Sequence, residues 1–228
     1  MKFVKPLLTA AAVLLPALPA RAADEDTAVW NAQFIKFYAD KDHKIFVRLE
    51  SQQRLTNDVS KLGQFILRPY VAYQVNDNLQ IGGGYAYFRS ESGLVEGGFV
   101  FEHRAFIEVN YRVLDRPGLK VDTRTLLESR QYENIPDQII RGRFLAQGLI
   151  PITERGTGIL IFSEYLHNLN GSLNFDAGTE QLRNFGGVVI PVTRNVDVMT
   201  GYMNQYSLNS GREDTMNHVF WLKTTAKF

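Results

Sequence analysis

The chain has 228 residues, 25 of them basic and 24 acidic, for a formal charge of +1, so there is no bulk electrostatic case for nucleic acid. It has no cysteine, which excludes disulfide staples, thiolate metal ligands and thiol nucleophiles together. No proline- or serine-rich linker, charge block or low-complexity tract divides a length that suits one domain.

Lys2 and Lys5 precede an apolar run from Leu7 to Ala20, and Ala20-Arg21-Ala22 places small residues at the two positions a signal peptidase reads, so residues 1–22 have the form of an export signal cut after Ala22. The run is short and interrupted by Pro16 and Pro19, which makes it a poor membrane anchor. Loss of Lys2, Lys5 and Arg21 leaves 22 basic against 24 acidic residues in 23–228, a formal charge of −2. No later apolar run is long enough for a membrane helix. An exported chain of this kind is either a periplasmic globule or a membrane barrel whose strands hide their hydrophobicity in alternation.

Alternation favours the barrel. After a first segment at 28–38, residues 44–55 set Ile45, Val47 and Leu49 against Lys44, Arg48, Glu50, Gln52 and Arg54, a period of two that puts apolar and charged groups on opposite faces of a strand. On a helix those charges would rotate onto the apolar side. Residues 64–75, 99–112 and 119–131 repeat the pattern, and similar stretches lie at 79–89, 139–152, 157–169, 180–191, 196–206 and 216–228. Short turn-forming connections at 76–78, 114–118, 153–156 and 193–195 alternate with longer polar ones at 56–61, 90–98, 133–138, 170–179 and 207–215, the layout of periplasmic turns and external loops. The final stretch carries the row Phe220, Leu222, Thr224, Ala226 and Phe228, which predicts a membrane-facing strand ending in an aromatic assembly signal. The fold expected is an all-β antiparallel transmembrane barrel. Eleven segments are legible, but an even strand number is the rule, so ten to twelve strands are expected, with twelve preferred.

The order of short motifs in this chain is specific: Trp30, Arg48-Leu49-Glu50 with Arg54, Leu67-Arg68-Pro69 with Tyr73, Gly84-Tyr85 with Tyr87, Glu102-His103-Arg104, Leu127-Glu128-Ser129-Arg130, Ser163-Glu164-Tyr165 with Asn168, Arg183, and Gly201-Tyr202. In this it resembles the domain-of-unknown-function family 2490, a group of bacterial outer-membrane barrels, over nearly all of residues 23–228. The resemblance implies location and fold; the family has no assigned activity.

The register sends Arg48, Glu50, Arg54, Arg68, Glu102, Arg104, Glu108, Arg112, Arg124, Glu128, Arg130, Arg141, Arg143, Glu164 and Arg183 into the lumen. Arginine forks pair bidentately with carboxylates in such partly desolvated places. One reading is a structural or surface barrel plugged by a cross-strand ion-pair ladder. The alternative is a narrow passage that prefers anions because arginine outnumbers glutamate. A third is a lipid-modifying enzyme at the outer leaflet; but Ser163 and His167, four apart on one strand, stand roughly 13 Å apart at the usual rise, so no catalytic group is assigned and no enzyme is expected. His43 falls in a turn, while His103, His167 and His218 face outward. Gly82-Gly83-Gly84 sits inside a strand with no following helix, so it makes room for curvature or a bulky luminal neighbour rather than for phosphate. Trp30 and several tyrosines are candidates for interfacial girdles, whereas Trp221 falls on the inward register. No metal or cofactor is expected. The expected partners are outer-membrane lipid and, during biogenesis, the barrel-assembly machinery, with the chain a monomer in a Gram-negative outer membrane.

Overall fold

The computed structural model describes residues 23–91, 98–133, 136, 138–172, 175–209 and 213–228; the expected export signal, residues 1–22, lies outside them. The described residues form eleven strands, β1 (Ala23–Tyr38), β2 (Ile45–Thr56), β3 (Lys61–Gln74), β4 (Leu79–Glu91), β5 (Phe99–Arg116), β6 (Leu119–Tyr132), β7 (Gln138–Pro151), β8 (Gly158–Asn168), β9 (Gly178–Pro191), β10 (Val196–Ser207) and β11 (Asp214–Lys227). Each pairs with its sequence neighbour in antiparallel fashion, and β1 closes the barrel by pairing with β11 in parallel. The expectation of twelve strands is therefore corrected to eleven. An even count is required only where every pair is antiparallel, and one parallel seam lifts that requirement. The segment at 28–38 is a strand of the wall, paired on both sides.

At one end of the barrel, the turn end, lie the connections 39–44, 75–78, 117–118, 152–157 and 192–195; the other, the loop end, carries 57–60 and the ends of β4 and β5, β6 and β7, β8 and β9, and β10 and β11. The length alternation is loose, because 57–60 is shorter than 39–44. That tight turn holds Asn57, Asp58 and Val59 at positive φ, and the Asp26 carboxylate accepts the backbone N–H groups of Asn57 (3.0 Å) and Asp58 (2.8 Å). At the turn end, Asp40 accepts from the backbone N–H of Ile45 (2.6 Å) and Lys44 (3.1 Å), and these bonds hold its carboxyl below the usual carboxylate range.

Period-two patterning has been converted into an inside-out distribution. Ile107, Val71, Leu127, Ile161 and Phe220 stand exposed on the outer face, while Glu128, Glu108, Glu50, Arg130 and Arg141 are buried in the lumen. Aromatic side chains collect near both ends of the outer band: Phe37, Tyr73, Tyr111 and Phe228 toward the turn end, Tyr85, Tyr165 and Tyr202 toward the loop end. The three outward histidines each meet one of the latter tyrosines, His103 with Tyr85, His167 with Tyr165 (3.1 Å) and His218 with Tyr202 (2.6 Å).

Two apolar clusters share the lumen with the charges. One, on β2–β6, stacks Tyr70 on Phe106 at 5.9 Å with Phe46, Phe88 and Leu126. The Tyr70 and Phe106 rings lie over Gly82 and Gly84, where an added Cβ would meet them at 2.6 and 2.9 Å; the triple glycine thus makes room for bulky luminal neighbours. The other gathers Trp30, Phe162, Phe185, Met199, Met203 and Trp221. Trp30 belongs to the interior and not to an interfacial girdle, because β1 presents Ala28, Trp30 and Ala32 to the lumen.

The expected assembly row, Phe220, Leu222 and Phe228, is on the outer face. Phe228 also clips the parallel seam. Its N–H donates to Lys36 O (2.9 Å), its carbonyl accepts from Tyr38 N–H (3.1 Å), and its ring stacks on Phe37 at 5.6 Å. Phe228→Ala is expected to lower the yield of heat-modifiable folded barrel several-fold, with the loop substitution Asn209→Ala leaving it near wild type. Equal yields on unboiled gels would show that the seam does not depend on the Phe228 ring.

Candidate functional site

All fifteen charged residues predicted for the lumen turn inward or line its mouths. Across β5–β9 they form one chain of ion pairs. Glu102 takes Arg104 Nε and Arg130 Nε at 2.6 Å each. Arg130 continues to Glu180 (2.9 Å), which also takes Arg141 (2.7 Å). Arg141 reaches Glu128 (2.6 Å), Glu128 meets Arg143 (3.2 Å), and Arg143 ends on Glu164 (2.6 Å). Glu164 also takes Arg124 (2.8 Å) and Arg183 (3.1 Å). Charge-assisted bonds of this length are among the strongest a protein makes, and they tie five adjacent strands together through their side chains.

Glu180 is absent from the predicted set, and a bulge explains why. Leu166 pairs with Gln181 but His167 pairs with Thr179, so Glu180 is the extra residue of a register shift and points where strict alternation would not send it. Glu128 and Arg130, two apart on β6, share no ion pair; they are linked through Arg104–Glu102 and Arg141–Glu180.

The opposite wall, β11, β1, β2 and β3, is less balanced. Arg68 lies 3.5 Å from Glu50, and Arg48 lies 3.7 Å from Glu108. Arg54 donates only to neutral amides, from Nε and Nη2 to Gln52 Oε1 (3.1 and 2.9 Å) and from Nη1 to Gln64 Oε1 (2.8 Å). Its guanidinium carbon stands 3.6 Å from the Trp30 ring centroid, and that of Arg183 5.4 Å from the same centroid. Lys223 has no ion-pair partner among the described residues. It lies on the inward register of the last strand, two residues from Trp221, where alternation alone places it.

Between the walls is a cavity of about 860 Å³, and among the described residues ten cationic side chains and five carboxylates line it. A second chamber of about 110 Å³ lies toward the turn end, between Arg48, Glu108 and Asp122, and shares Arg124, Leu145 and Gln147 with the first. Arg112 sits at the turn-end rim, paired to Asp122 (2.8 Å) and Asp115 (3.1 Å). Ser163 donates to Asn184 (2.8 Å) and His167 bonds Tyr165, so these two outward residues do not form a nucleophile–base pair. Among the described residues no three His, Asp or Glu side chains gather as a metal site.

Among solved structures the fold is similar to the NanC porin, with a TM-score of 0.50 and 10% identity over 83% of this chain and 93% of that one. It is also similar to a loop-deletion mutant of OmpT, an outer membrane protein of Vibrio cholerae, with a TM-score of 0.45 and 16% identity over 79% of this chain; this chain spans 58% of that longer one. At such identities the likeness concerns the fold. A relative in Methylorubrum extorquens, the uncharacterized protein MexAM1_META1p0181, is 29% identical over 182 residues, 78% of this chain and 79% of the relative. Residues 27–217 match the family described as Protein of unknown function (DUF2490), and the chain belongs to that family.

Proposed function

We propose that this chain is an outer-membrane barrel whose lumen is a narrow, anion-preferring passage. The observation that carries the reading is the unbalanced cavity, ten cationic groups against five carboxylates among the described residues around about 860 Å³. Fixed positive charge on low-dielectric walls concentrates anions and repels cations. The outer face supports the location: an apolar band with aromatic belts near both ends matches the hydrocarbon core and its interfaces. On this reading residues 1–22 direct export and are removed, lipid surrounds the wall, and the assembly machinery recognises the outward row of Phe220, Leu222 and Phe228.

The second reading, a closed structural barrel, draws support from the narrow turn-end chamber of about 110 Å³. Current through the purified barrel in a planar bilayer separates the two. In a KCl gradient the passage predicts a reversal potential displaced toward that of chloride, and Lys223→Gln, which deletes an unpaired cation from the wall, reduces the anion-to-cation permeability ratio by roughly twofold or more. A folded barrel that carries no current makes the protein a structural wall. A cation-selective current contradicts the charge argument outright.

A further inference from the structure

The cationic cavity is not uniform, and its unbalanced charge is concentrated beside apolar surface. Arg54 and Arg183, from β2 and β9, both approach the indole of Trp30 on β1, with guanidinium carbons 3.6 and 5.4 Å from its centroid. Arg54 uses three of its bonds on Gln52 and Gln64, which are neutral. Arg183 donates to Gln205 (3.0 Å) and Gln181 (2.6 Å) and gives only one bond to a carboxylate, Glu164, which it shares with two other arginines. A guanidinium has five N–H donors, so each of these two keeps a pair of donors in hand. Both line the cavity.

The surface beside them is apolar. Trp221 packs edge-on against Trp30 at 5.7 Å, and Phe162 packs against Trp221 at 6.0 Å; all three rings border the same cavity. Hydrated chloride or phosphate gains nothing from such walls. An anion with an apolar body gains from both, through planar donor pairs that match the two oxygens of a carboxylate and apolar area that is removed from water.

From this we infer a binding subsite for small organic carboxylates between Arg54 and Arg183 at the Trp30–Trp221 pair. It deepens the proposed anion passage by naming the ligand class, and it rests on that reading only for its transport role; binding itself can be read without current. The chain has two tryptophans, and both stand at the subsite, so the intrinsic fluorescence of the folded barrel reports occupancy.

The test is a fluorescence titration of the barrel in detergent with cyclohexanecarboxylate, its neutral carboxamide, and inorganic phosphate. The carboxylate is expected to give a saturable change, and the other two none in the same concentration range. Arg54→Gln should weaken carboxylate binding roughly tenfold or more, the scale of one lost charge-assisted bond. Arg54→Lys, which keeps the charge and loses the fork, should weaken it several-fold and guards against misfolding of the Gln variant. Equal responses to carboxylate and carboxamide, equal responses to carboxylate and phosphate, or unchanged affinity in folded Arg54→Lys and Arg54→Gln would each overturn the subsite. Saturable binding without bilayer current would leave the subsite standing and remove the passage.

Discussion

Glu128→Gln is expected to destabilise the barrel by about 3 kcal/mol or more if its surroundings are dry, within the range seen when one partner of a buried ion pair is removed. Glu128 is 0% exposed. Its Oε2 accepts from Arg141 Nε (2.9 Å) and Nη2 (2.6 Å), its Oε1 from Arg143 Nη1 (3.2 Å), and Arg104 stands 4.0 Å away. The amide keeps the shape but removes the charge and turns one acceptor into a donor facing guanidinium groups. Each arginine retains one other carboxylate, Glu180, Glu164 and Glu102 respectively, which sets the cost below that of stranding three bare cations. The midpoint of urea unfolding measures the loss. A cycle with Arg141→Gln should show coupling of about 1–3 kcal/mol, and a cycle with Arg130→Gln a smaller value, because Glu128 and Arg130 act only through intermediaries. A Glu128→Gln barrel that unfolds at the wild-type midpoint would mean that water screens the network and the ion pairs do not brace the wall.

Gly201→Ala is expected to have a comparable or larger effect for a steric reason. Gly201 and Gly187 are register partners on β10 and β9, and the Phe185 ring lies over both. A Cβ on Gly201 would meet Gly186 O at 2.4 Å, Gly187 Cα at 2.6 Å and Phe185 Cζ at 2.7 Å; a Cβ on Gly187 would meet Thr200 O at 2.4 Å and the same ring at 2.6 Å. Two of the Gly201 contacts are backbone, so the strands themselves would have to part. Overpacking costs about 1–3 kcal/mol, and the upper part of that range or beyond where backbone rather than a flexible side chain must yield. The neighbour Gly186 provides the control, since its Cβ would meet nothing within 4 Å, and Gly186→Ala should fold as wild type. Folded yield and urea midpoint of the two alanine variants decide the matter. Similar behaviour of Gly186→Ala and Gly201→Ala would remove the ring-over-glycine packing as a determinant of this barrel.

The sequence by itself determined the strands, their faces and the polarity of the lumen, because a period of two is a local property. Arg48, Glu50, Arg68, Glu102, Arg104, Glu128, Arg141, Arg143 and Glu164 each turn inward by counting alone, and a cysteine-free chain with that pattern separates its charged and apolar faces most simply by closing a sheet. The tertiary structure decided what counting cannot reach. The pairing of β1 with β11 joins residues nearly two hundred positions apart, and its parallel sense, which lets the strand number be odd, leaves no local trace. The bulge that turns Glu180 inward belongs to the β8–β9 register and not to either strand. Which guanidinium meets which carboxylate also depends on stagger between strands. That stagger joins Glu128 to Arg141 rather than to Arg130 and leaves Arg54, Arg183 and Lys223 with positive charge to spare, since a charge is balanced by what lies across the sheet and the lumen, not by its neighbours in the chain.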